Sequence, residues 1–311
     1  MTGYKLLTFQ SGGQARAGLL IGDQIYDAAR VTGQPGWSTV LGALQEWSKA
    51  SRAFSDAARR IGAGKSRASS VPLKRARLLA PILYPGNIYC AGANYTDHVA
   101  EMDRAAGREP GPTLKDLGES PWHFIKTSRA SVVGPGVTVK IPAFSRAVDW
   151  EVELAAVIGK PARDVPVAKA LSHVAGYTIG NDLSCRDAGK RPKVPPQSPF
   201  HWDWLSQKSW EGACPMGPWI VPASDIRNPH KLGLKLWVGD ALMQDSNTDK
   251  LIFDIAEQIA MLSSRLTLHP GDVILTGTPA GVGAGRGRFL QKGESVRLWI
   301  EEIGELNHKM G

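Results

Sequence analysis

The sequence predicts a β-rich α+β protein, on three observations. Short β-like runs such as "NIYCAGA", "HFIKT", "GVTVKIP", "VAGYTIG", "LGLKLWVG" and "GDVILTG" recur between Gly/Pro turns. Beyond residue 80 only two stretches keep convincing helical spacing, around 95–106 and 250–265. Strands and helices do not alternate as a βαβ repeat would, so a mostly antiparallel or mixed sheet architecture is expected. The 311 residues, 42% hydrophobic and 21% charged, suffice for a full core and argue against wholesale disorder.

Residues 1–75 read as a small N-terminal α+β domain and residues 76–311 as the larger one. "YKLLTF" is strand-like, and "ARAGLLIGDQIYDAA" reads as two strands across a Gly22-Asp23 turn. "STVLGALQEWSKASRAFSDAARRIG" reads as one helix, with Ser38 as N-cap and Gly62 as its stop. The basic run at 65–79, "KSRASSVPLKRARLL", reads first as a solvated linker. Together with a net charge of +8 it also fits a positive field for small anions. No aromatics interleave it and no nucleic-acid module accompanies it, so nucleic acid is not an expected partner. The glycine-rich "GTPAGVGAGRGRF" lacks both phosphate-loop spacings and reads as structural turns. Apolar runs stay below the ~18 residues of a membrane span, and the start lacks a signal peptide's apolar stretch. Cys90, Cys185 and Cys214 form no C-x-x-C pair, which fits a reducing, cytoplasmic setting; Cys185 reads as a packing residue.

The chemistry concentrates in "DWEVELAAVIG", residues 149–159. On a strand Asp149, Glu151 and Glu153 share one face, and like charges stacked there repel unless compensated. A solvated face with lysines opposite is one resolution. The other is a cation, and Asp182 in "GYTIGNDLSCRD" supplies a third carboxylate to Glu151 and Glu153. Oxygen donors without Cys or His suit a hard ion, Mg²⁺, Mn²⁺ or Ca²⁺. Three carboxylates leave coordination positions open, as a Lewis-acid site requires. In "GANYTDHVAEMDRAAG", with Asn94 or Thr96 near the helix start, His98 and Glu101 stand at i and i+3. A carboxylate there would raise the imidazole pKa and fix its tautomer, as a general base activating water needs. The Pro/Gly-rich segment after this helix could carry it as a lid. Lys208 stands among apolar residues, where burial would lower its pKa and let it orient a substrate carbonyl or carboxylate. That these residues occur together favours an enzyme over a passive metal-binding protein.

Five segments in order, "YCAGANYTDHVAEM", "DWEVELAAVIGK", "GYTIGNDLSCRD", "QKSWEGACPMGPWIVP" and "GDVILTGTPAGVG", resemble the fumarylacetoacetate hydrolase superfamily over about residues 80–305. The resemblance implies a mixed β-sandwich roll around one divalent metal, in a homodimer. It places metal ligands on Glu151, Glu153 and Asp182, the lid pair on His98 and Glu101, the active-site lysine on Lys208, and a substrate-contacting threonine on Thr278. It implies a small anionic 2-oxo acid substrate: C–C hydrolysis of a 2,4-dioxo acid in the breakdown of aromatic ring-cleavage products, or isomerisation or decarboxylation at the same metal. Two departures stand out: Gly189 replaces a glutamine frequent in the family, and the longer "KRPKVPPQSPFHWDW" brings Phe200, Trp202 and Trp204 near the expected pocket. Both suggest a bulkier, aromatic-derived dicarbonyl.

Overall fold

The computed structural model describes residues 2–311. The N-terminal strands form as expected: β1 (Lys5–Ser11), β2 (Gln14–Ile21) and β3 (Gln24–Asp27). Gly22 takes φ 60° in the turn between β2 and β3, a left-handed conformation that favours glycine. The predicted single helix is two, α1 (Val40–Gln45) and α2 (Trp47–Gly62), broken at Glu46. Glu46 accepts a hydrogen bond from Trp37 Nε1 at 3.0 Å, which ties the break to the preceding turn. Ser38 closes that 3₁₀ turn, so the N-cap is Thr39, whose hydroxyl accepts from Gly42 N–H at 3.0 Å.

The rest of the chain supplies β4 (Ile88–Ala91), α3 (Thr96–Ala105), β5 (His123–Lys126), β6 (Val152–Ile158), β7 (Val174–Asn181), α4 (Trp204–Lys208), β8 (Cys214–Pro222), β9 (Gly233–Val238), β10 (Ala241–Asn247), α5 (Ile255–Arg265), β11 (Val273–Leu275), β12 (Ser295–Ile300) and β13 (Gly304–Met310). The large sheet runs β3-β2-β1-β8-β7-β6-β11-β4-β5, with Val71–Pro72 beyond β3; the smaller runs β10-β9-β12-β13, then Thr138–Val139. Pairing is antiparallel except at such places as β11 with β4 and β13 with Thr138–Val139, so the architecture is mixed, as expected. The first strands join the large sheet where Leu6 pairs with Ile220.

The centre of the large sheet explains the unbroken apolar reading of β6. All seven of its residues except Glu153 are apolar, and all seven are buried, because both faces are covered. Leu154, Ala156 and Ile158 pack into the core shared with Leu234, Leu236 and Leu298 of the second sheet. Ala155 and Val157 face Leu44 and Phe54 of α1 and α2. Helix α5 starts where Asp254 and Glu257 form a reciprocal capping box, later than the expected 250 because Thr248–Lys250 is a separate 3₁₀ turn. No helix among the described residues is long and apolar enough to cross a membrane.

Gly176 in β7 shows how closely these strands approach. A Cβ there would lie 2.2 Å from the Val221 carbonyl oxygen of β8, and backbone cannot step aside as a side chain can. Gly176→Ala is therefore expected to lower stability by about 1–3 kcal/mol. Thermal unfolding checks it, and an unchanged midpoint would mean the strands can spread.

Candidate active site

The carboxylate run does not continue as one strand. Val148–Asp149 pairs with Ser184–Cys185, whereas β6 begins only at Val152. Asp149 therefore leaves the face it was expected to share. Its carboxylate accepts from Gly283 N–H at 2.6 Å, Ala284 N–H at 3.0 Å and Arg186 Nε at 2.8 Å. Glu151, Glu153 and Asp182 do converge: one oxygen from each lies within 4.8 Å of the others, and all three residues are buried. Backbone bonds set this geometry, with Asp182 N–H donating to Glu151 C=O at 3.0 Å and Glu151 N–H to Asn181 Oδ1 at 2.9 Å.

Three cations surround the cluster. Lys208 at the end of α4 donates to Glu151 Oε2 at 2.9 Å and Asp182 Oδ2 at 2.6 Å. Lys126 of β5 donates to the other Asp182 oxygen at 2.5 Å and to Leu183 C=O at 3.0 Å. Arg186 bridges Asp149 and Glu151. Burial alone would raise the Glu151 pKa, but Lys208 and Arg186 hold it at about 2. Burial alone would lower that of Lys208, yet Asp182 and Glu151 outweigh it, so Lys208 lies above the ordinary lysine value, contrary to the sequence expectation. Glu153 has no basic side chain within 4.0 Å among the described residues; Gly277 N–H donates to it at 2.7 Å. Burial and the charges of Asp182 and Glu151 push its carboxyl well above the usual range. A buried three-carboxylate set with one member uncompensated lacks one more cation, and its hard oxygens fit a divalent ion.

A cavity of about 190 Å³ opens onto these groups, lined by His98, Glu151, Glu153, Arg186, Lys208 and Thr278, with Trp122, Phe124 and Trp204. A larger groove of about 610 Å³ lies at Tyr4, Lys5, Asp225 and Arg227, but the Glu151/Glu153/Asp182 cluster is not part of it. His98 reaches the cavity from α3. Glu101 does not hold it: Glu101 Oε2 lies 4.0 Å from His98 Nδ1 and accepts instead from Gly281 N–H at 2.8 Å. His98 Nδ1 is buried without a hydrogen-bond partner. Burial therefore sets the direction of its shift, below the ordinary 6.5, against the opposing charge of Glu151. A neutral imidazole at pH 7 results, by a route other than the expected one. Helix α3 starts after Tyr95 without a side-chain cap, because Asn94 bonds the buried carbonyls of Phe253 and Thr276. Thr278 lines the cavity with its hydroxyl already engaged, donating to Val152 C=O at 3.0 Å and accepting from Gln244 at 2.9 Å. Phe200 and Trp202 do not line the cavity, whereas Trp204 does.

Sequence reasoning missed Lys126, Arg186, Trp122 and Phe124. A signal existed for two of them: Phe124 and Lys126 share the inward face of β5 while Ile125 between them is 63% exposed. A lysine on the inward face of an apolar strand asks for a buried anion.

Residues 87–310 match the family described as fumarylacetoacetate (FAA) hydrolase C-terminal. A curated relative, oxaloacetate tautomerase FAHD2B, mitochondrial, of Bos taurus, is 38% identical over 244 residues, which is 77% of this chain and 71% of that protein. Among solved structures, maleylpyruvate hydrolase from Sphingobium sp. SYK-6, in complex with manganese(II) ion and pyruvate, is 29% identical with a TM-score of 0.73 over 98% of each chain. The 5-carboxymethyl-2-hydroxymuconate delta-isomerase from Mycobacterium smegmatis is 31% identical with a TM-score of 0.71, again over 98% of each chain. Family match, fold and motif order agree: the chain belongs to the fumarylacetoacetate hydrolase family.

Proposed function

We propose that the protein is a divalent-metal-dependent hydrolase that cleaves a C–C bond in a 2,4-dioxo acid of the acylpyruvate type. The observation that carries this reading is the convergence of Glu151, Glu153 and Asp182, two of which, Glu151 and Glu153, line the cavity with His98. Glu151, Glu153 and Asp182 would hold the ion, Mg²⁺ or Mn²⁺, which when bound supplies Lewis-acid stabilisation of negative charge on a substrate oxygen. The related maleylpyruvate hydrolase, solved in complex with manganese(II) ion and pyruvate, supports that pairing of ion and 2-oxo acid.

The chain's own groups do the rest. Four carboxylates, Asp149 included, face three cations, Lys126, Lys208 and Arg186, leaving one formal negative charge. A divalent ion reverses that sign, so the loaded site attracts an anionic substrate. Arg186 uses Nε and one terminal nitrogen on Asp149 and Glu151, and its remaining donors suit a carboxylate. Two donors of Lys208 bond carboxylates and its Nζ lies 4.9 Å from the Phe124 ring centroid; its third donor bonds no other protein atom and would stabilise a developing oxyanion. Thr278, with its hydroxyl engaged, contributes shape. His98 takes a proton from water as the water oxygen adds to the distal carbonyl. The bond between that carbonyl carbon and its neighbour then breaks, its electron pair going to the 2-oxo acid fragment; a carboxylic acid leaves, and the proton held by His98 passes to the fragment's carbon, which returns His98 to its neutral form.

A second reading, tautomerisation of a 2-oxo acid at the same site, draws on the named activity of the bovine relative. One experiment separates them. Loss of enol ultraviolet absorbance from a panel of acylpyruvates, with Mg²⁺ or Mn²⁺ and again after EDTA, should show turnover that the chelator abolishes. Acceleration of oxaloacetate keto–enol exchange with no acylpyruvate cleaved would favour the tautomerase reading.

A further inference from the structure

The cavity that holds the carboxylates ends in a group of rings. Phe124 and Trp204 stack with centroids 5.4 Å apart and planes at 24°, and Trp122 meets Trp204 edge-on at 4.7 Å. All three line the same cavity as Glu151, Glu153 and Lys208. Its two ends differ in kind. Glu151, Glu153 and Lys208 are buried, whereas Trp122 and Trp204 remain 41% and 37% exposed at the mouth. Gly92 seats Trp122 here, since a Cβ at that position would lie 2.2 Å from the indole ring. Trp122 stands just before β5, which pairs only with β4 at the border of the large sheet.

A substrate made only of carboxylate and oxo groups makes no aromatic contact with these rings and leaves the exposed surfaces of Trp122 and Trp204 in water. A ligand whose oxygens occupy the charged floor must direct its remaining substituent to the mouth. There a flat apolar group would bury indole surface and make the edge-on and offset contacts that aromatic rings prefer. We propose that Trp122, with Phe124 and Trp204, forms an aromatic subsite that selects 2-oxo acids carrying an aryl substituent. This rests on the 2-oxo acid reading above and adds the class of the distal group and the residue that reads it.

The test is equilibrium binding by calorimetry to the full chain in excess Mn²⁺, with pyruvate and phenylpyruvate as probes. Neither needs to react, so the result does not depend on which reaction is catalysed. Phenylpyruvate is expected to bind about 10-fold or more tighter than pyruvate. Trp122→Ala should bring that ratio close to one, and Trp122→Phe should keep most of it. The ratio is the readout, because it cancels any general weakening of the site. Equal binding of both acids by the wild type, or an undiminished ratio in Trp122→Ala, would overturn the proposal. Failure of pyruvate and phenylpyruvate alike to bind would sink the 2-oxo acid reading first and the subsite with it. Light scattering on the Trp122→Ala variant guards the assignment: a changed assembly mass would place Trp122 in a contact between copies instead.

Discussion

His98→Ala is expected to lower kcat by about 10²–10⁴-fold, the usual contribution of a positioned general base. His98 is placed for this by helix α3, with its side chain 13% exposed and its Nδ1 without a partner. Burial holds its pKa below 6.5, so the neutral, proton-accepting form is present at pH 7. Activity should be flat near neutrality and fall as pH drops through a value below 6.5, where the imidazole becomes charged. That acid limb should disappear from the residual activity of His98→Ala. A loss of only a few-fold, or a profile unchanged by the substitution, would remove His98 from the chemistry. The structure also separates Glu101 from this role. Its bond to Gly281 N–H fastens α3 to the glycine-rich segment, and an amide oxygen can accept that bond equally. Glu101→Gln should therefore cost less than His98→Ala.

The parts of the site that were legible in sequence are those whose chemistry leaves few alternatives. Carboxylates at every second position of an apolar run cannot all be buried without a cation, which points to Glu151 and Glu153 from the sequence. Their neighbour Asp149 was misplaced because its partners, Gly283 and Ala284, lie more than 130 residues away and leave no local mark. The same distance hides Arg186, whose anions Asp149 and Glu151 lie 37 and 35 residues away, whereas Lys126 is marked by its place on the inward face of β5. Helix α4, which presents Lys208, has five residues and is too short for a periodic signal. The His98/Glu101 spacing guaranteed a shared helix face, but not a distance, and the loop opposite captured the carboxylate. At the level of fold, strand and turn density sufficed for the β-rich class. The junction of the first strands with the large sheet, at Leu6 and Ile220, did not follow, since pairing of remote strands is decided by burial of whole faces.

Glu153→Gln is the cleanest test of the metal centre, and opposite effects on two quantities are expected. Glu151 and Asp182 each anchor buried cations, so truncating either would strand a charge and cost about 3–5 kcal/mol of stability whatever its role toward a metal. Glu153 anchors none, and glutamine retains an oxygen for the Gly277 N–H. Metal-free Glu153→Gln should therefore be at least as stable as the metal-free parent, because a neutral amide replaces a carboxylate that burial and its neighbours disfavour. The response to metal should be lost. At an Mn²⁺ concentration 100 times its dissociation constant, binding stabilises the parent by about 2.7 kcal/mol. For a protein of this size that is a rise in unfolding midpoint of roughly 5 °C. Thermal scans of both proteins with EDTA and with Mn²⁺ read each effect directly, and turnover should fall by at least ~100-fold, beyond what loss of a metal's outer partners costs. A full Mn²⁺ shift in Glu153→Gln would place the ion elsewhere. A metal-free variant less stable than its parent would show that the carboxylate is already compensated, and that the electrostatic case for a cation at this position fails.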